Sequence, residues 1–296
     1  DWAIYGPFSS LNDKQEVAIS QDGQKEAMEH AGRTGGLPFV GVGWYRTEFD
    51  VPQFQAGKRA TILFDGAMSH ANVYINGQKV GYWPYGYNSF HFDITKYLKP
   101  GEKNTLAVRL ENLPESSRWY PGAGLYRNVH LIITEDAYIP VWGTYITTPS
   151  VNEKFAKVNV RTKVVLPEGA DPAKYSVETS VWNPNKQKLT AVRTSLAQMK
   201  YNNNQAEQEF VIQAPSLWSP EMPALYSAET RLYEGDKLKD IYTTPFGIRS
   251  IEIIPDKGFF LNGKRTVFKG VCNHHDLGPL GAAVNDAAIR LSLIHI

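Results

Sequence analysis

The densest group of chemistry-bearing side chains in this sequence is Asn273-His274-His275-Asp276, directly after Cys272. His274 and Asp276 stand two apart, so on a strand they share one face, while His275 turns away. An imidazole and a carboxylate side by side can bind neighbouring hydroxyl groups, and both bind more strongly where water is excluded. The same pair could instead cap a strand end or form a structural ion pair. Cys272, His274 and Asp276 would share a face, but an extended strand spreads them over roughly 13 Å, which argues against a single metal ion. A second candidate is Arg118 followed by Trp119, a cation beside a large ring face in the loop-like stretch SRWYPGAG. Gly122 and Gly124 in that stretch have no phosphate-binding context, so the sequence offers no nucleotide or other cofactor motif.

The segment that delivers the histidines begins as a hairpin, GFFLNGKRTVFKGV. Asn262-Gly263 suits the two left-handed positions of a type I′ turn. The outgoing run 266–271 carries Val267, Phe268 and Val271 and stops at the ionisable group, the pattern of a barrel strand reaching its active-site face. A complete (β/α)8 barrel needs roughly 250 residues, and 46 follow Ser250. At most its first βα unit is present, with Asn285 or Asp286 capping a helix that starts at Ala287.

What precedes this segment is strand after strand. Apolar residues alternate with polar ones over 44–49, 59–64, 71–75, 90–94 and 106–110, and Asn76-Gly77 marks a second hairpin. Period-two runs with turn signals and no helices indicate antiparallel sheets with one buried face. The first set, to residue 139, reads as a jelly-roll β-sandwich. Residues 140–248 repeat the pattern in about seven strands, the count of an immunoglobulin-like sandwich without its cysteine pair, and read as a spacer. Residues 249–296 are the truncated start of the barrel. Residues 1–36 lack clean periodicity and read as a long surface loop, with a short polar helix as the alternative within 11–32.

Composition narrows the function classes. Net charge is +1 over 296 residues, too little field to hold nucleic acid or an anionic membrane. No run of 18 apolar residues marks a membrane-spanning helix. The lone cysteine rules out an intrachain disulfide and leaves the compartment open. The chain opens on Asp1-Trp2 without Met, so its start reads as a cut. The 16 Tyr and 7 Trp suit either sandwich cores or carbohydrate-binding faces. Trp83, Tyr85 and Tyr87 form an aromatic series between strands that reads as core or rim packing.

Five stretches together resemble the family 2 glycoside hydrolases, the β-galactosidase and β-glucuronidase group. They are Asp1-Trp2, ANVYINGQKVGYWPYGYNSFHFDIT, SRWYPGAGLYRNV, LWSPEMPALY and FLNGKRTVFKGVCNHHD, in that order. The resemblance implies a sugar-binding jelly roll, an immunoglobulin-like domain and a catalytic barrel. It also implies retaining hydrolysis of a terminal β-linked sugar by two glutamates about 5–5.5 Å apart. Those glutamates belong to later barrel strands, and the last glutamate here is Glu252, so no catalytic residue is assigned in this chain. His274 and Asp276 match positions that line the sugar subsite. Arg118 and Trp119 match the loop that reaches the barrel mouth, where they would contact sugar or lock the domain interface. β-Galactoside specificity comes first and β-glucuronide second. A non-catalytic carbohydrate-binding module is the alternative, and a homo-oligomer is admissible for the full-length enzyme. The end, LSLIHI, departs from the family's amphipathic helix and reads as an altered gene end.

Overall fold

The computed structural model describes residues 17–21, 24–29, 41–54, 57–113, 122–198, 205–270 and 285–294. The described residues are mainly β, and the chain divides into two compact units, Asp1–Ile133 with Val271–Ile296, and Thr134–Gly270.

In the first unit β1 (Val17–Gln21) and β2 (Gln24–Glu29) form a two-stranded antiparallel sheet. This departs from the loop or polar helix expected there. The alternation of Val17 and Ile19 with Ala18 and Ser20 is a period-two signal too short to stand out among polar neighbours. Seven more strands build a sandwich: β3 (Gly41–Asp50), β4 (Arg59–Phe64), β5 (Ala71–Ile75), β6 (Gln78–Trp83), β7 (Phe90–Asp93), β8 (Lys103–Asn112) and β9 (Val129–Thr134). One sheet runs β3-β8-β5-β6 and the other β7-β4-β9. The alternation read from the sequence sets the core. Ala60, Ile62 and Phe64 of one sheet meet Val73, Ile75, Val108 and Leu110 of the other, all buried in one cluster.

The Asn76-Gly77 turn is left-handed at both positions (φ 50° and 78°), as a type I′ hairpin requires. Its asparagine does more than turn the chain. Asn76 Oδ1 accepts from Thr105 N at 2.9 Å, and Nδ2 donates to Tyr97 O and to the buried Asn104. Asn104 in turn bonds the backbone of Lys99 and Glu102.

The second unit is a seven-stranded sandwich followed by a small sheet. β10 (Thr144–Val151), β11 (Phe155–Lys163) and β14 (Gln205–Gln213) form one sheet, in that order. β12 (Tyr175–Trp182), β13 (Lys188–Ser195), β15 (Tyr226–Glu234) and β16 (Lys237–Phe246) form the other, ordered β13-β12-β15-β16. Val158, Val160, Phe210 and Ile212 pack against Val181 and Tyr226. A buried polar side chain crosses the gap. The buried Gln208 of β14 donates through Nε2 to Val177 O, Val192 O and Thr194 Oγ1 on β12 and β13, at 3.1, 2.8 and 3.1 Å. Ala137 and Ile139 belong to this unit's core. Lys239, 7% exposed at its side chain, lies 2.8 Å from Asp136 and 3.6 Å from Glu234.

The closing sheet is β17 (Ile251–Ile254), β18 (Gly258–Leu261) and β19 (Lys264–Arg265). β19 stops at Arg265, and residues 266–270 carry no strand. Of the run expected as a barrel strand, 266–271, the described residues 266–270 form no strand, although Thr266 N donates to Phe259 O at 2.9 Å and Phe268 meets the Phe259 ring; residue 271 lies outside the described residues. The helix α1 (Asp286–Ile294) is capped as expected: Asn285 Oδ1 accepts from Ala288 N at 2.8 Å. It continues through Leu291 and Leu293, both exposed.

Candidate functional site

The four residues singled out as substrate-binding, Arg118, Trp119, His274 and Asp276, lie outside the described residues. So do Cys272, Asn273 and His275. What is described is the chain on either side of them.

On the first unit, three connections converge: residues 65–70 between β4 and β5, 84–89 between β6 and β7, and 122–128 before β9. Met68 and Gly124 exchange two backbone hydrogen bonds, at 3.0 and 2.9 Å. Tyr126 reaches across to donate its hydroxyl to Gly86 O at 2.8 Å. A Cβ on Gly66 would stand 2.9 Å from that hydroxyl, so glycine is needed for the ring to pass. Arg127 donates to Asp65 O at 3.3 Å and stacks its guanidinium 5.1 Å from the Tyr126 ring centre. His130 Nε2 donates to Asp65 Oδ2 at 3.0 Å. Tyr85 and Tyr87 meet edge to face at 5.6 Å.

Burial pushes the phenols of Tyr87 and Tyr126 above the usual tyrosine range. At Tyr87 the neighbouring Tyr126 and Tyr85 add to the rise, and at Tyr126 Arg127 opposes it. Both stay protonated donors at neutral pH. Donors, a carboxylate and exposed ring edges in one place can hold a hydroxyl-rich ligand. Among the described residues no three His, Cys, Asp or Glu side chains group as a metal site.

On the second unit, the Asn262-Gly263 turn repeats the device seen at Asn76. Its φ angles are 52° and 75°. Asn262 N donates to Ser250 O at 2.9 Å, its Oδ1 accepts from Ser250 N at 3.0 Å, and its Nδ2 donates to Trp218 O at 3.0 Å. Arg249 lies 4.7 Å over the Trp218 ring. The hairpin that leads toward His274 is thus tied to its own unit through one amide side chain.

Of the aromatic series between β6 and β7, Trp83 packs on the core and stacks with Phe90 at 5.6 Å. Tyr85 and Tyr87 instead stand exposed. The sequence reading did not single out Asp65, Tyr126, Arg127 or His130. The signal was available for two of them, since Tyr126 and Arg127 belong to the quoted stretch SRWYPGAGLYRNV. Asp65 and His130 are 65 residues apart and only the fold joins them.

Comparison with known families gives the class of protein, a glycoside hydrolase. The model described as "Glycosyl hydrolases family 2, sugar binding domain" matches residues 37–135, and "Glycosyl hydrolases family 2" matches residues 138–249. These are the two sandwiches of the fold, and the chain belongs to glycosyl hydrolase family 2. It is 41% identical over 99% of its length to a β-galactosidase of Bacteroides ovatus, covering 32% of that protein. It is 38% identical over 264 residues to a putative β-glucuronidase of Formosa agariphila, covering 24% of it. A crystal structure of a family 2 member from Bacteroides cellulosilyticus superposes with a TM-score of 0.82 at 33% identity, over 99% of this chain and 36% of that one. The chain spans about a third or less of the length of these relatives.

Proposed function

We propose that this chain supplies the sugar-binding and linking domains of a retaining exo-β-glycosidase that removes terminal β-linked galactose. In this reading residues 1–139 are the sugar-binding jelly roll and residues 140–248 the immunoglobulin-like domain. Residues 249–296 open the catalytic barrel. The observation that carries it is the 41% identity to a β-galactosidase across almost the whole chain. His274 and Asp276 would bind hydroxyls of the sugar being released, and Arg118 with Trp119 would close the subsite from the jelly-roll side. The nucleophile and acid/base are not assigned within this chain, because Glu252 is its last glutamate and precedes the barrel hairpin. The same fact supports a second description, in which this chain alone binds carbohydrate without cleaving it.

Two measurements test the proposal. The 296-residue chain should not turn over chromogenic β-galactoside or β-glucuronide, and clear turnover would mean that the reactive carboxyls have been misplaced. Joined to the remaining barrel of the B. ovatus β-galactosidase, it should hydrolyse the galactoside. In that chimera His274→Ala and Asp276→Ala should each lower kcat/KM tenfold or more, through roughly 1.5–3 kcal/mol of lost charge-assisted hydrogen bonding. Unchanged kcat/KM in both variants would remove these residues from the subsite.

A further inference from the structure

The sheet β3-β8-β5-β6 has an outer face that the site above does not use. Antiparallel register sets one residue from each strand in a single line across it: Trp44 opposite Arg109, Arg109 opposite Asn72, Asn72 opposite Tyr82. Their chain neighbours Val108 and Val73 are fully buried, so these four side chains point away from the core. Strands about 4.8 Å apart put the two ends of the line about 14 Å from each other. Both ends are aromatic and open, Trp44 at 59% and Tyr82 at 46% exposure. Ala107, in the next row, is small, and across it Trp44 meets Tyr74 with ring centres 5.6 Å apart.

The middle of the line is polar and held in place. Arg109 donates to Glu111 at 3.0 Å. Asn72 Nδ2 donates to His70 O at 3.1 Å, and His70 Nδ1 shares a 2.6 Å hydrogen bond with the Tyr82 hydroxyl. Ser69 Oγ donates to Glu111 O at 2.8 Å. His70 adopts a left-handed backbone, φ 48°. That is a costly conformation for a residue with a side chain, and one that clusters at binding sites. An open tryptophan gains little from folding, so core packing does not account for it.

We propose that this line is a binding platform for a neutral β-linked polysaccharide chain. It would hold the polymer while a terminal sugar is processed elsewhere. The proposal rests on the glycosidase reading above but concerns a different surface. Ring faces at the two ends pack on the C–H faces of pyranose rings, and the amide and guanidinium between them meet hydroxyls. The line runs about 14 Å across four strands, further than one sugar ring reaches, which suits an extended polymer more than a single sugar. The cation within the line is matched, since Arg109 lies 3.0 Å from Glu111, so the line itself gives an acidic polymer no free partner.

Affinity gel electrophoresis of the 296-residue chain tests this, with soluble β-1,4-galactan, laminarin or arabinoxylan in the gel, and polygalacturonate as the acidic polymer. At least one neutral polymer should retard the chain. Trp44→Ala with Tyr82→Ala should weaken that retention about tenfold or more, and Trp44→Phe should keep most of it. Tyr145→Ala, an exposed ring on β10 of the second unit, should change nothing. Both exposed rings lie outside the core, and thermal unfolding of each variant checks that the fold is kept. The proposal is overturned if no neutral polymer retards the chain. It is equally overturned if the double variant binds like the parent, or if polygalacturonate retards the chain more than every neutral polymer does. Binding through Trp44 alongside an inactive chimera would sink the glycosidase reading alone. An active chimera with an inert sheet face would sink this one alone.

Discussion

Replacing Asn262 by glycine separates the two jobs of an Asn-Gly turn. Glycine adopts the 52° φ at no steric cost, so the turn survives while the side-chain bonds to Ser250 N and Trp218 O are lost. Each such bond contributes about 1 kcal/mol net, so Asn262→Gly should destabilise the hairpin by about 2 kcal/mol. Asn262→Ala should cost about 1–2 kcal/mol more, because its Cβ is strained in the left-handed region. A loss of about 2 kcal/mol raises the open population about 30-fold. Native-state hydrogen exchange reads this directly at the β17–β18 ladder, which pairs Ile251 with Leu261 and Ile253 with Phe259. Faster exchange confined to that ladder, with the β11–β14 ladder unchanged, is the expected result. Exchange in Asn262→Gly within threefold of the parent would show that the turn conformation alone holds the hairpin.

Three other perturbations have defined outcomes. Lys239→Met should cost about 1–2 kcal/mol in urea unfolding, discounted from a fully buried pair because Asp136 and Glu234 are 37% and 40% exposed. The pH dependence follows from the same cluster. The hydrogen bond from Lys239 holds the Asp136 carboxyl below its ordinary range. That stabilisation is complete above the unfolded pKa of about 3.9 and is lost as pH falls through the lowered folded value. The same bond raises Lys239. Its share is complete below about 10.4 and is lost as pH rises through the raised folded value, so Lys239→Met should flatten both limbs of the stability profile. Burial raises the Asp240 carboxyl. Its contribution has the opposite sign to that of Asp136: stability falls as pH rises from the unfolded value through the folded one, and Asp240→Asn should remove that slope. Gly81→Ala would place a Cβ within 2.6 Å of Phe92 Cδ1, and should lower the first unit's stability by about 1–3 kcal/mol in the same unfolding assay.

The sandwiches were legible because one buried face per strand writes itself as alternation. Ala60, Ile62 and Phe64, or Val158 and Val160, could hardly be read otherwise. Both Asn-Gly turns were legible for the same local reason. Their clamping role was not, because Tyr97, Thr105, Trp218 and Ser250 are brought to the asparagines by the fold. β10 and β13 escaped notice: Thr144–Val151 and Lys188–Ser195 are edge strands with mixed, half-exposed faces, so alternation is weak there. The Asp65–His130 pair and the Trp44–Tyr82 line escaped for a further reason. Each joins residues whose proximity depends on strand order, which no spacing in the sequence encodes. His274, Asp276, Arg118 and Trp119 were singled out chiefly by likeness to a family, and they lie outside the described residues.

Two β-sheets pressed together by aliphatic side chains alone could settle in several offsets, since one methyl serves nearly as well as another. Gln208 removes that freedom. Its two amide N–H groups find their acceptors among three oxygens on two strands of the facing sheet, and a slip of one residue would leave them inside a dry interior. It therefore acts as a dowel between two boards, adding little to how tightly they are pressed but fixing where they meet. A domain built this way keeps one fixed registry between its two layers, which a merely greasy stack would not.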